Sequence, residues 1–245
     1  MCGIMGMVLN QKQRSDDDLE LLRMHFADLL VATQIRGRNA TGAFTVNPSG
    51  IRYTKAPGSA KDFVFSLEFW GLMDTITEET TAVVGHTRFA TKGCPTCNAN
   101  NHPINIDSLT GVHNGVLYND DDIRDQYPYD QEVDSAAIFA LLSGRAKGNP
   151  ITADLIANSL PKLEGDMAIA VADNRSPDKL FVARDDSRPL FLANDNTQRV
   201  TWMASTSSIL RQGLRYVDIA NPQPLPDFSV ATLTSGANID IKKWN

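Results

Sequence analysis

Several short runs in this chain are apolar at nearly every position, and that feature constrains the fold most. "TAVVGHT", "MAIAVAD", "KLFVARD" and "VTWMAS" have strand length, and turn formers bound them. A strand with one wet face alternates apolar and polar residues, whereas a strand that lacks the alternation is covered on both faces. "CGIMGMVL", "TGAFTV", "TGVHNGVL", "PLFLA" and "FSVATL" extend the set. The strands arrive in groups with helical segments between groups, which predicts an α+β chain rather than strict β-α-β alternation. Two sheets packed face to face, with helices outside, would cover so many strands on both sides.

Three helices are signed. Ser15 is an N-cap, and Asp16, Asp17, Asp18 and Glu20 set negative charge at the positive end of the dipole. Leu19, Leu22, Phe26, Leu29 and Leu30 follow as one stripe, with Gly37 beyond the end. A second helix after Asp134 buries Ala137, Ile138, Leu141 and Leu142 and stops at Gly144; a third from about Thr152 turns Leu155, Ile156 and Leu160 inward. The Pro-rich "ANPQPLPDF" reads as a surface connection to a final strand pair.

Length and charge exclude several classes. A globule of 245 residues buries roughly 70–75% of its unfolded surface, enough for a core without staples. The net charge of −6 offers no basic footprint for nucleic acid or an anionic membrane. "GIMGMVL" reaches polar "NQKQ" too soon for a signal or a span, and three cysteines do not make a disulfide framework. The expectation is a cytoplasmic protein with no membrane and no nucleic-acid partner, in which the sequons at Asn39 and Asn174 have no consequence.

Cys2 then stands out. If Met1 is trimmed, Cys2 carries a thiol and a free α-amino group on one carbon. A thiol attacks as thiolate and needs a base to move its proton. An N-terminal amine, with a pKa of about 7.7–8.0, suits that task near neutrality. The plain alternative is a buried apolar cysteine at the start of a strand.

Four further segments keep company with "MCGIMG": "IRGRNATGAF" (35–44), "VVGHTRFATKG" (83–93), "GVHNGVLYND" (111–120) and "EVDSAAIFALL" (132–142). In that order they resemble the class II, N-terminal-nucleophile glutamine amidotransferases, nearest the glutaminase domains of glucosamine-6-phosphate synthase and amidophosphoribosyltransferase. "KLEGDMAIAVADNRSPDKLFVARDDSRPLFL" and "MASTSSIL" are similar to that family's second half, so the resemblance spans residues 1–245 as one glutaminase domain. It implies a four-layer αββα sandwich, no cofactor, no metal, and L-glutamine as substrate.

It also implies roles. Cys2 attacks the glutamine side-chain amide and passes through a tetrahedral oxyanion to a thioester. The oxyanion hole maps to the Asn114 side chain and the Gly115 N–H, although "HNG" alone reads equally well as a turn between strands. Arg88 matches the clamp on the substrate α-carboxylate, Thr91 a second contact there, and Asp134 the partner of the α-ammonium; Asp134 reads also as a helix N-cap. Arg36 matches an arginine beside the nucleophile. Lys92 stands where relatives often have histidine, and Phe89 where synthases have tryptophan. "CPTC" at 94–97 lies on the loop expected to fold over glutamine. Ordinary loop cysteines, a zinc pair with His86 or His102, and a redox pair are its three readings, while His25 and His113 read as structural. No P-loop or GxGxxG follows, so the implied partner is a separate synthase or acceptor subunit. A free-standing amidohydrolase acting on another γ-glutamyl amide and a non-catalytic protein on the same fold stay open beside it.

Overall fold

The structure is a computed structural model that describes residues 1–10, 13–196, 199–236 and 239–244. In chain order the elements are β1 (Gly3–Leu9), α1 (Asp16–Thr33), β2 (Ala40–Asn47), β3 (Gly50–Pro57), α2 (Ala60–Phe63), α3 (Leu67–Met73) and β4 (Ala82–Arg88). Next come β5 (Ile104–Ile106), β6 (Leu109–Leu117), α4 (Asp120–Gln126), α5 (Ala136–Ala146), α6 (Ala153–Ala157), β7 (Gly165–Asp173) and β8 (Lys179–Arg184). The last are β9 (Phe191–Asn194), β10 (Val200–Ala204), α7 (Ser207–Gly213), β11 (Gln223–Pro224), β12 (Ser229–Thr234) and β13 (Ile239–Lys243).

The described strands form two antiparallel sheets, ordered β11-β9-β10-β1-β4-β2-β3 and β13-β12-β8-β7-β6-β5. Three cores separate four layers. Phe26, Leu29 and Leu30 of α1 and Leu210 of α7 pack with Met5, Met7 and Leu9 on the outer face of the first sheet. Ile138, Leu141 and Leu142 of α5 pack with Ile169 and Val171 on the outer face of the second. Between the sheets, Ile4, Val8, Phe44 and Val84 meet Val112, Ala168, Ala170, Ala172 and Val182. Successive residues of β1 and β7 therefore feed two different cores, which is why these strands carry no polar face. This is the αββα sandwich expected.

The caps follow local chemistry. The Ser15 hydroxyl accepts from the Asp18 N–H while the Asp18 carboxylate accepts from the Ser15 N–H, a capping box that starts α1. Thr152 caps α6, which is short; Leu160 falls in a following 3₁₀ turn that contains Pro161. Gly144 does not stop α5. The helix continues to Ala146 and ends on Lys147 in the left-handed region, with φ 49°. Gly144 is small because the Tyr127 ring lies where its Cβ would be. β3 was not anticipated: "GIRYTKAP" mixes polar and apolar residues because it is the half-exposed edge of the first sheet. No helix among the described residues is long and apolar enough to cross a membrane.

Candidate active site

β1 runs antiparallel to β4 with Gly3 opposite Thr87 and Ile4 opposite His86. Continued by one residue, that register sets Cys2 beside Arg88 at one end of the first sheet. Ile4 and Val8 face the second sheet, and side chains alternate, so Cys2 belongs to the same inner face. The half-buried thiol meets the end of β4: the Phe89 N–H donates to Cys2 Sγ at 3.4 Å, and Sγ lies 3.5 Å from the Phe89 carbonyl oxygen. Burial pushes the thiol above its ordinary pKa, and Asp134 adds to that; the Phe89 N–H, the N-terminal amine and Arg88 pull the other way. The Arg36 Nε donates to the Cys2 carbonyl at 2.7 Å, which fixes the main chain at this residue.

Asn114 arrives from the other sheet. "HNG" is not a turn: it lies within β6, with Asn114 opposite Ala168 and Gly115 opposite Met167 of β7. Val112 faces the inter-sheet core, so Asn114, two residues on, faces inward as well. It is 0% exposed, and both Nδ2 and Oδ1 are buried with no hydrogen-bond partner among the described residues. An amide with both ends unpaired is uncommon in native interiors. At Gly115 a Cβ would collide with the Asp166 carbonyl oxygen, so the close approach of β6 and β7 requires glycine.

Arg88 is 2% exposed. Its Nη1 donates to Asn101 Oδ1 at 2.7 Å, and its Nη2 to the Lys92 and Gly93 carbonyls at 2.6 and 2.9 Å. Burial lowers its pKa, while Cys2 and Asp134 oppose the shift, so the Asp134 charge bears on both Arg88 and the thiol. Asp134 does not cap α5. Ser135 occupies the cap without a side-chain bond, and Asp134 Oδ2 instead accepts from the Leu117 N–H at 2.7 Å, tying α5 to the end of β6. Cys2, Arg36, Arg88, Asn114, Gly115 and Asp134 thus gather at one end of the sandwich, drawn from both sheets. Thr91 is exposed on the 89–97 loop. Lys92 anchors that loop through Asp120 at 2.5 Å and Asp121 at 3.7 Å, and Phe89 is 52% exposed beside it.

Cys94 and Cys97 are free and exposed, whereas His86 and His102 are buried and stacked with ring centroids 4.1 Å apart. Burial pulls His86 down to about 3, and its Nε2 donates to the His113 carbonyl at 3.0 Å. No group of three or more His, Cys, Asp or Glu among the described residues is placed to hold a metal ion. His113 is buried against Ser135 Oγ at 2.8 Å, and burial lowers its pKa. Reading the sequence missed Asn101, Arg188 and Asp166. Arg188 pairs with Asp166 and donates to Met1 Sδ at 3.0 Å, and Met1 in turn lines a cleft of about 320 Å³ with Ile35 and Arg36. A larger cleft, about 740 Å³ and lined by Pro48, Glu78, Thr80 and Pro177, lies at the opposite end of the strands.

The glutamine amidotransferase domain family matches residues 86–212, just over half of the chain. The glutamine–fructose-6-phosphate aminotransferase (isomerizing) of Oceanobacillus iheyensis is 28% identical over 224 residues, covering 89% of this chain and 34% of that enzyme. The Bacillus subtilis enzyme of the same name is 28% identical over 230 residues, with 91% and 35% covered. The chain thus spans about a third of the length of these relatives. In fold it superposes on the glutamine phosphoribosylpyrophosphate amidotransferase of B. subtilis with a TM-score of 0.72 at 17% identity, covering 100% of this chain and 49% of that one. A glutamine aminotransferase class-II domain protein from Silicibacter pomeroyi gives 0.59 at 10% identity, with 98% and 99% covered. With the two-sheet sandwich and a cysteine at position 2 facing its inner layer, the chain belongs to the glutamine amidotransferase family, in its class II, N-terminal-nucleophile form.

Proposed function

We propose that this chain hydrolyses the side-chain amide of L-glutamine to glutamate and ammonia, and that the ammonia passes to an acceptor enzyme. The orphaned Asn114 amide carries the reading: a buried donor, facing the same inter-sheet space as the Cys2 thiol, has no partner among the described residues. Removal of Met1, which is 57% exposed, leaves the α-amine on Cys2. That amine takes the thiol proton as Sγ bonds to the amide carbon, and the carbonyl electron pair moves to oxygen. Asn114 Nδ2 and the Gly115 N–H stabilise this oxyanion. The pair returns as the C–N bond breaks, the amine proton leaves with the nitrogen as ammonia, and a thioester remains. Water attacks the thioester carbon, the thiol departs, and glutamate forms.

Arg88 and Thr91 take the substrate α-carboxylate, Asp134 the α-ammonium, and Arg36 holds the Cys2 main chain. A planar guanidinium suits a carboxylate better than an ammonium does. Ammonia release from glutamine by the purified protein tests the reading. Cys2→Ala should abolish release while leaving the fold intact; activity that survives the change refutes the nucleophile. A protein that prefers substituted γ-glutamyl amides over glutamine would instead be the free-standing amidohydrolase.

A further inference from the structure

Asn101 is 0% exposed and sits at the centre of a bonding network that the proposed catalytic scheme leaves unused. Its Oδ1 accepts from Arg88 Nη1 at 2.7 Å. Its Nδ2 donates to the Pro95 carbonyl at 2.8 Å and to Asn98 Oδ1 at 3.2 Å, gripping the loop from beneath. Its own carbonyl accepts from Lys55 Nζ at 2.7 Å, and the same ammonium donates to the Pro103 carbonyl at 2.8 Å. The neighbouring residue reaches the other way: Asn100 Nδ2 donates to Glu132 Oε2 at 2.8 Å, and Asn100 Oδ1 accepts from the Glu132 N–H at 2.9 Å. Glu132 lies two residues before Asp134. Two adjacent asparagines therefore span the gap between Arg88 and the segment that carries Asp134.

We propose that Asn101 is the positioning residue of the α-carboxylate clamp, orienting the Arg88 guanidinium and joining it through Asn100 to the Asp134 segment. The proposal rests on Arg88 being that clamp. A long arginine side chain has many rotamers, and one short charge-assisted bond from a fixed, buried acceptor selects among them. The Asn101 side chain is spent on Arg88, Pro95 and Asn98, so it acts on substrate through Arg88 and the loop that Arg88 also holds, and its effect falls on substrates that carry an α-carboxylate.

That restriction gives the test. Ammonia release is measured with L-glutamine and with L-glutamine α-amide, which has the same side chain and no carboxylate. The native protein should prefer glutamine. Asn101→Ala should lower kcat/KM for glutamine about tenfold or more, chiefly through KM, and leave the α-amide nearly unchanged. Combining Asn101→Ala with Arg88→Lys should add little to the loss from Arg88→Lys alone. Equal losses on both substrates, or losses that add in full in the double variant, overturn the positioning role. A native protein with no preference for glutamine overturns the clamp itself and the glutamine reading with it.

Discussion

Both polar atoms of the Asn114 amide lie buried and unpartnered among the described residues, and their cost is of the order of 1–3 kcal/mol each. If the amide serves the oxyanion, Asn114→Ala should lower kcat for glutamine by roughly 10²–10³ with KM little changed. Denaturation should show the variant no less stable than the native protein, because it deletes orphaned groups and not a bond. Asp134 predicts a different pattern. The Asp134→Asn variant keeps an oxygen for the Leu117 N–H and loses only the charge, so it should stay folded and bind glutamine weakly. Steady-state kinetics on both variants separates the two roles. Cys2 stood out in the sequence because a thiol at position 2 gains a neighbouring free amine once Met1 is removed. Asn101 was not legible, because a lone asparagine in "NANNHP" gives no sign of the arginine it meets.

At the scale of elements, the loop after β4 and the edge strand β3 share one lysine. Burial pulls Lys55 from 10.5 to about 8, Cys97 opposing and Arg88 adding to the shift, with the Tyr53 ring 5.7 Å from its nitrogen. Between pH 8 and 10.5 the unfolded chain holds a proton at this site that the folded one has lost, so this residue makes stability rise with pH there. Urea unfolding at pH 7.5 and 9.5 should show that Lys55→Met removes part of the rise; an unchanged difference between the two pH values would contradict the assignment. The strands that feed two cores were readable as unbroken apolar runs. β3 was not, since this edge strand mixes polar and apolar residues. The ends of α5 and α6 moved for tertiary reasons, the Tyr127 ring against Gly144 and the 3₁₀ turn at Pro161.

Across the whole molecule, the site is made by stacking. Cys2, Arg36 and Arg88 belong to the first sheet and its flanking turns, and Asn114 and Gly115 to the second. Inter-sheet spacing therefore sets the distance from Cys2 to Asn114 and Gly115. The middle layer is lined on β7 by Ala168, Ala170 and Ala172, small residues that let the sheets approach. Ala170→Leu should overpack that layer at a cost of about 1–3 kcal/mol. It should also lower kcat although no site residue is touched; unfolding curves and kinetics on one preparation test both effects. The layered arrangement could be expected from the sequence, but which residues meet across the sheets depended on a register no local pattern encodes.

The central claim is that Cys2, freed of Met1, attacks glutamine, and one measurement bears on it most directly. The protein is incubated with a glutamine analogue that carries an electrophile in place of the side-chain amide, and the product is analysed by intact and peptide mass spectrometry. The account predicts a single adduct per chain, on an N-terminal peptide that begins at Cys2, with ammonia release lost in proportion to labelling. An adduct on Cys94 or Cys97, or full glutamine hydrolysis by protein that retains Met1, would contradict it.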